Sequence, residues 1–125
     1  MESQNELEIG IGTKEATTLK PAQVRIVDVR IVEVGEKRNK KLVCDVKHPD
    51  KLETIKISAV KYEKNKGQLE EVGLWINKDE DSLIAKGSAL AVFMNSLHAT
   101  TLNDLKDKEV LTTDGERGFL CFKVY

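Results

Sequence analysis

The sequence predicts a mainly β domain with one principal helix (α+β), folded as a small five-stranded barrel with the helix between strands three and four. Three observations carry that expectation. Three alternating, β-branched runs come first, one run at helical spacing follows, and two alternating runs close the chain across a Gly-containing turn. At 125 residues the chain is one domain, large enough to bury a core without covalent staples. Hydrophobic residues make up 40% and charged residues 33%, as expected of a soluble globular protein.

Residues 1–20 hold Gly10, Gly12, Thr13, Thr17 and Thr18 and show little periodicity. A flexible N-terminal tail or extended arm is expected there, closed by Pro21, with the barrel domain over residues 21–125. The first strand reads Ala22 to Val34, and its alternation slips phase twice. Val24 and Ile26 share one face; Val27, Val29 and Ile31 share the other; Val32 and Val34 return to the first. A slip in a period of two is the mark of a bulge, which a long strand serving both halves of a barrel needs. A strand buried on both faces would give the same pattern.

Gly35 to Lys41 reads as a turn. Leu42, Cys44 and Val46 then line one face of the second strand, and His48-Pro49-Asp50 turns the chain. In the third strand Ile55, Ile57 and Ala59 face one way, and Lys56, Ser58, Val60 and Tyr62 the other. Residues 69–76 fit either a short extra strand or an apolar plug, and Trp75, between Leu74 and Ile76, reads as core. The helix spans Ser88–Leu97: Ser88 is an N-cap residue, and Leu90, Phe93, Met94 and Leu97 make one apolar stripe. Thr101 to Asp104 has capping-box spacing and opens a short helical turn with Leu102 and Leu105 inward. Val110–Thr112 and Phe119–Tyr125 form the last hairpin, with Leu120, Phe122 and Val124 on one face and Phe119, Cys121, Lys123 and Tyr125 on the other.

Catalytic and metal-binding signatures fail at their geometry-setting positions. The histidines, His48 and His98, each sit beside a turn, as solvent-facing or capping residues. With Cys44 and Cys121 they lack any zinc-ligand spacing. Both thiols are expected free and at least half-buried, with a bridge as the alternative if the second and fifth strands are neighbours. Asn77, Asp79 and Asp81 alternate like calcium-loop ligands, but Ser82 stands where Gly is needed and Ser88 where Glu is needed. Gly10-Ile11-Gly12-Thr13-Lys14 lacks the spacing of a phosphate loop. An enzyme would have to draw on scattered acids such as Asp28 and Asp45. No cofactor or metal is expected, and the chain reads as non-enzymatic. The acidic start, Met1 to Glu6, is unlike a signal peptide, and no apolar run approaches the ~20 residues of a membrane span, so a cytoplasmic protein is expected.

The remaining signal is cationic. Net charge is −1, which argues against a polybasic coat protein but leaves room for a local basic groove. Lys37, Arg38, Lys40 and Lys41 cluster in the first turn against Glu36, and Lys61, Lys64 and Lys66 follow the third strand against Glu63. Lys56 projects between the two clusters, on the strand face that also carries Tyr62. Lysine-rich turns also serve as solubilising loops and edge guards.

At the level of strand pattern the chain resembles OB-fold single-stranded-nucleic-acid-binding proteins over residues 21–125. The slipping strand Val24–Val34, the basic turn Lys37–Lys41, the strand ending at Tyr62 and the helix Ser88–Leu97 carry the resemblance. It implies single-stranded DNA or RNA held with little sequence preference, with Lys37, Arg38, Lys40, Lys41, Lys56 and Lys64 on phosphates and Tyr62 stacked on a base. The alternative reading is an assembly module: a homo-oligomer or protein partner held through the exposed edge of the first strand or the Phe119, Cys121, Tyr125 face.

Overall fold

The computed structural model describes residues 19–116 and 118–125. The expected N-terminal tail therefore lies almost wholly outside the described residues, as does the Gly10–Lys14 segment. The chain runs β1 (Gln23–Val34), β2 (Asn39–Lys47), β3 (Ile55–Ile57), β4 (Ala59–Asn65), β5 (Gln68–Gly73), α1 (Ala89–Ser96), a 3-10 turn (Leu102–Leu105), β6 (Glu109–Asp114) and β7 (Leu120–Val124). These strands form one mixed sheet in the order β3-β2-β1-β6-β7-β4-β5. Only β4 and β7 run parallel.

This corrects the expected architecture. Among the described residues the sheet has seven strands and no ladder joins its edge strands β3 and β5, so it stays an open sheet where a five-stranded barrel was expected. The helix follows the fifth strand and does not lie between strands three and four. Two local events explain the difference. The expected third strand breaks at Ser58: β3 pairs with β2 at one end of the sheet, while β4 pairs with β7 and β5 at the other. The ambiguous segment 69–76 supplies a true strand, β5, which folds back on β4 across Gly67, whose φ of +78° suits a residue without a Cβ.

After β5 the chain turns back toward β2. The Leu74 N–H donates to the Ser58 carbonyl (2.9 Å), the Leu42 N–H to the Leu74 carbonyl (2.8 Å), and the Ile76 N–H to the Lys40 carbonyl (2.9 Å). The sheet is therefore strongly curled, and an isolated bridge sets Trp75 beside Lys41.

Only one of the two expected slips in the first strand is a bulge. The β1–β2 register jumps between Ile26 and Asp28, then runs unbroken to Val34 opposite Asn39. The extra residue, Val27, lets Val24 and Ile26 serve the core before the bulge and Val29 after it. Val32 and Val34 lie on the other face of a β1–β2 ribbon that extends past β6, since β6 pairs only with Gln23–Arg25.

The core fills the inner face of the curl. Ile26, Leu42, Val46, Ile57, Val60 and Leu74 line it, and α1 closes it with Leu90, Phe93 and Met94. Ser88 caps α1 by accepting the Ala91 N–H at 3.2 Å, and the Phe93 ring stacks on Phe122 with centroids 4.5 Å apart. The 3-10 turn starts where capping-box spacing places it: the Asp104 carboxylate accepts from the Thr100 hydroxyl and from the Thr100 and Thr101 N–H groups. Those bonds hold the Asp104 carboxyl below its ordinary range. Among the described residues, no helix is long and apolar enough to cross a membrane.

Candidate nucleic-acid interface

Antiparallel pairing of β1 with β2 sets the expected phosphate contacts. Lys37 and Arg38 sit exposed in the turn, which is closed by two positive-φ residues, Gly35 (79°) and Arg38 (53°). Lys40 and Lys41 lie in β2, beyond the turn expected to hold them, so successive side chains leave opposite faces. Lys40 stands opposite Glu33, on the face that continues into the core, and remains exposed. Lys41, between Lys40 and buried Leu42, points to the outer face, where its Nζ lies 5.0 Å from the centre of the Trp75 ring. Lys56 projects from β3 opposite Asp45.

Lys41 and Lys56 meet in one cavity of about 520 Å³ on the outer face, lined also by Glu71, Gly73, Trp75 and Phe119. A neighbouring cavity of about 640 Å³, reaching Leu19 and Lys51, shares Lys56, Phe119 and Leu120 with the first. The two form a continuous groove with Phe119, 77% exposed, standing between them.

Of the expected site residues only Lys41 and Lys56 line the groove: Lys37, Arg38 and Lys40 stand on the ribbon outside both cavities, and Tyr62 and Lys64 lie in other parts of the sheet. Tyr62 is 8% exposed and belongs to the core. The break at Ser58 reverses the face on which successive residues point, so Val60 and Tyr62 turn inward, as Ile57 does before the break. Tyr62 therefore offers no ring to a base. Lys64 lies near the β4–β5 turn, 3.5 Å from Glu70, and lines neither cavity of the groove.

Trp75, Phe119, Gly73 and Glu71 are groove residues that sequence reasoning leaves out of the site. Glu71, Gly73 and Trp75 line the cavity at spacing two, across a tight turn in which the Trp75 N–H donates to the Gly73 carbonyl at 2.9 Å, and buried Leu74 lies between Gly73 and Trp75. That spacing is legible in the sequence. Apolar neighbours on both sides of Trp75 suggest burial, whereas the turn at Leu74 keeps Leu74 in the core and leaves the indole half-buried on the outer face. Gly73 leaves room for it: a Cβ there would lie 2.8 Å from the Trp75 Nε1 and 2.9 Å from the Lys41 Cε.

The remaining chemistry-bearing groups are structural. Cys44 and Cys121 are free and buried, and desolvation pushes their thiols up to about 12 and about 11. His48, expected beside solvent or as a cap, is fully buried. Its Nδ1 accepts the Asp50 N–H at 3.0 Å, so Nε2 carries the proton donated to the Lys20 carbonyl at 2.8 Å. His98 is exposed. Asp79 uses its Oδ1 to accept the Asp81 and Leu83 N–H groups, which makes the Asn77–Ser82 loop a self-bonded turn. Among the described residues, no three His, Cys, Asp or Glu side chains gather as a metal site.

No protein-family model, curated protein or solved structure matches this chain, and nothing in those comparisons identifies an OB fold.

Proposed function

We propose that the protein is a non-enzymatic binder of single-stranded DNA or RNA with little sequence preference. The outer groove holds the bases, and the β1–β2 ribbon contributes cations to the backbone. One observation carries the reading: a half-buried indole capped by a lysine and a phenyl ring 77% exposed flank one groove that also holds Lys56. Single strands are held by such pairings of stacking surfaces with cations, at about 1–3 kcal/mol per stacked base. In this reading Trp75 and Phe119 take the stacking role first expected of Tyr62. Lys41 and Lys56 meet phosphates at the groove, and Lys37 and Arg38, exposed in the β1–β2 turn, extend the cationic track, whereas Lys40 leaves the opposite face of the ribbon.

Fluorescence anisotropy with labelled single-stranded DNA and RNA over a salt series tests it. Expected is binding whose logarithm falls linearly with log salt, with a slope of about 0.7 per neutralised phosphate. The Trp75→Ala, Phe119→Ala pair should weaken it at least about fivefold, the loss of one stacked base. Binding unchanged in that pair would refute the assignment of the groove.

A second reading, homo-oligomer assembly, draws on a different feature. From Val27 to Val34, β1 has no strand on its second side among the described residues, and Val27 (41%), Ile31 (50%) and Val34 (41%) are exposed along that stretch. Light scattering after size exclusion separates the readings: a dimer dissolved by Ile31→Lys favours this edge, and a monomer at all concentrations removes it.

A further inference from the structure

We propose that Glu71 gives the groove a base preference, selecting bases that carry an exocyclic amine (cytosine, adenine, guanine) over thymine and uracil. The inference rests on the nucleic-acid reading above and names what the groove reads. Glu71 lines the same cavity as Gly73, Trp75 and Phe119. The carboxylate is held in place: Oε1 accepts the Glu116 N–H at 2.8 Å, and the Gly115 backbone packs so closely that a Cβ there would lie 3.0 Å from Oε2. Lys61, directly opposite Glu71 on the β4–β5 ladder, spends its ammonium on the Asp114 carbonyl at 2.9 Å. Among the described residues, no cation comes within ion-pair distance of Glu71.

A fixed carboxylate in a groove for polyanions is out of place unless it faces a base. It repels phosphate, so the strand's backbone is driven toward Lys41 and Lys56 and the base edge toward Glu71. A carboxylate only accepts hydrogen bonds, and among the described residues no donor bonds to Oε2. The exocyclic amines of cytosine, adenine and guanine donate to such an acceptor. Thymine and uracil offer only an imide N–H set between two carbonyls, whose lone pairs oppose the carboxylate. Stacking on Trp75 or Phe119 supplies affinity to every base, and Glu71 grades it.

The test compares oligo(dC), oligo(dA) and oligo(dT) of equal length, at neutral pH and one salt concentration, on the wild type, Glu71→Gln and Glu71→Ala. The expected result is about tenfold tighter binding of oligo(dC) and oligo(dA) than of oligo(dT) by the wild type. In Glu71→Gln that ratio falls toward one, because the amide also donates to thymine carbonyls, while Gln keeps an oxygen for the Glu116 N–H. Glu71→Ala also loses the ratio, and melting temperatures of both variants verify the fold. A preference that survives both substitutions, or equal binding of all three oligomers by the wild type, overturns this inference and leaves the nucleic-acid reading standing. No binding to any oligomer overturns both.

Discussion

Gly73→Ala should separate the groove from the fold. A methyl group at residue 73 would lie 2.8 Å from the Trp75 Nε1, 2.9 Å from the Lys41 Cε and 3.2 Å from the Lys41 Nζ. All three atoms belong to side chains on the outer face, so the indole and the lysine move and the backbone stays. The stability terms partly offset one another. Separating the lysine from the indole costs about 0.5–1 kcal/mol at an exposed site, and an off-rotamer side chain about 0.5–1.5 kcal/mol. Alanine returns about 0.4–1 kcal/mol by restricting the unfolded chain. A net loss near 1 kcal/mol is expected. Single-strand affinity suffers more, since the stacking surface and its adjacent cation leave together: about 1–3 kcal/mol, or roughly fivefold to more than a hundredfold. Trp75 is the sole tryptophan, so its emission reports the displacement directly while a denaturant titration gives the stability. Unchanged emission and affinity in a folded Gly73→Ala protein would refute the packing argument.

Other substitutions test the separation of core from groove. Tyr62→Ala should cost about 3 kcal/mol in denaturant unfolding, as truncation of a buried ring does, whereas Tyr62→Phe should leave single-strand affinity unchanged; a binding loss in the folded Phe variant would restore Tyr62 to the site. Charge reversal at Lys37 and Arg38 should weaken binding to all oligomers and lower the salt slope by about 0.7 for each phosphate no longer neutralised, with little change in melting temperature because both are exposed. Stability should fall as pH rises above 9, because burial raises the Cys44 thiol from 9.0 to about 12 and the unfolded chain releases that proton first. The contribution is complete below pH 9 and lost progressively up to about pH 12. Cys44→Val should flatten that part of the curve, measured by thermal unfolding against pH.

The elements bounded by chemical signals are the most legible in the sequence. Ser88 and the stripe Leu90, Phe93, Met94 mark α1 to within a residue, because an N-cap and a period near 3.6 are local properties. The bulge at Val27 is legible for the same reason. The strand count is not. Ile55 to Asn65 reads as one run, and only pairing with two different parts of the sheet separates β3 from β4 at Ser58. That break moves Tyr62 from the expected ligand face into the core, and nothing local to residues 55–65 signals it. Lys41 and Lys56 come together through long-range pairing of β2 with β3 and with the segment after β5. Trp75 is a different case: its expected burial rests on apolar neighbours, yet the turn at Leu74 buries that residue and leaves the ring half-buried outside.

The groove is probed most directly by the emission of Trp75 during titration with a mixed-sequence single-stranded oligomer, repeated with the matching duplex. Expected is saturable quenching by the single strand, reversed by salt, and little response to the duplex, whose bases are already stacked. Unchanged Trp75 emission at low salt, or an equal response to both forms, would rule out a groove built to stack unpaired bases.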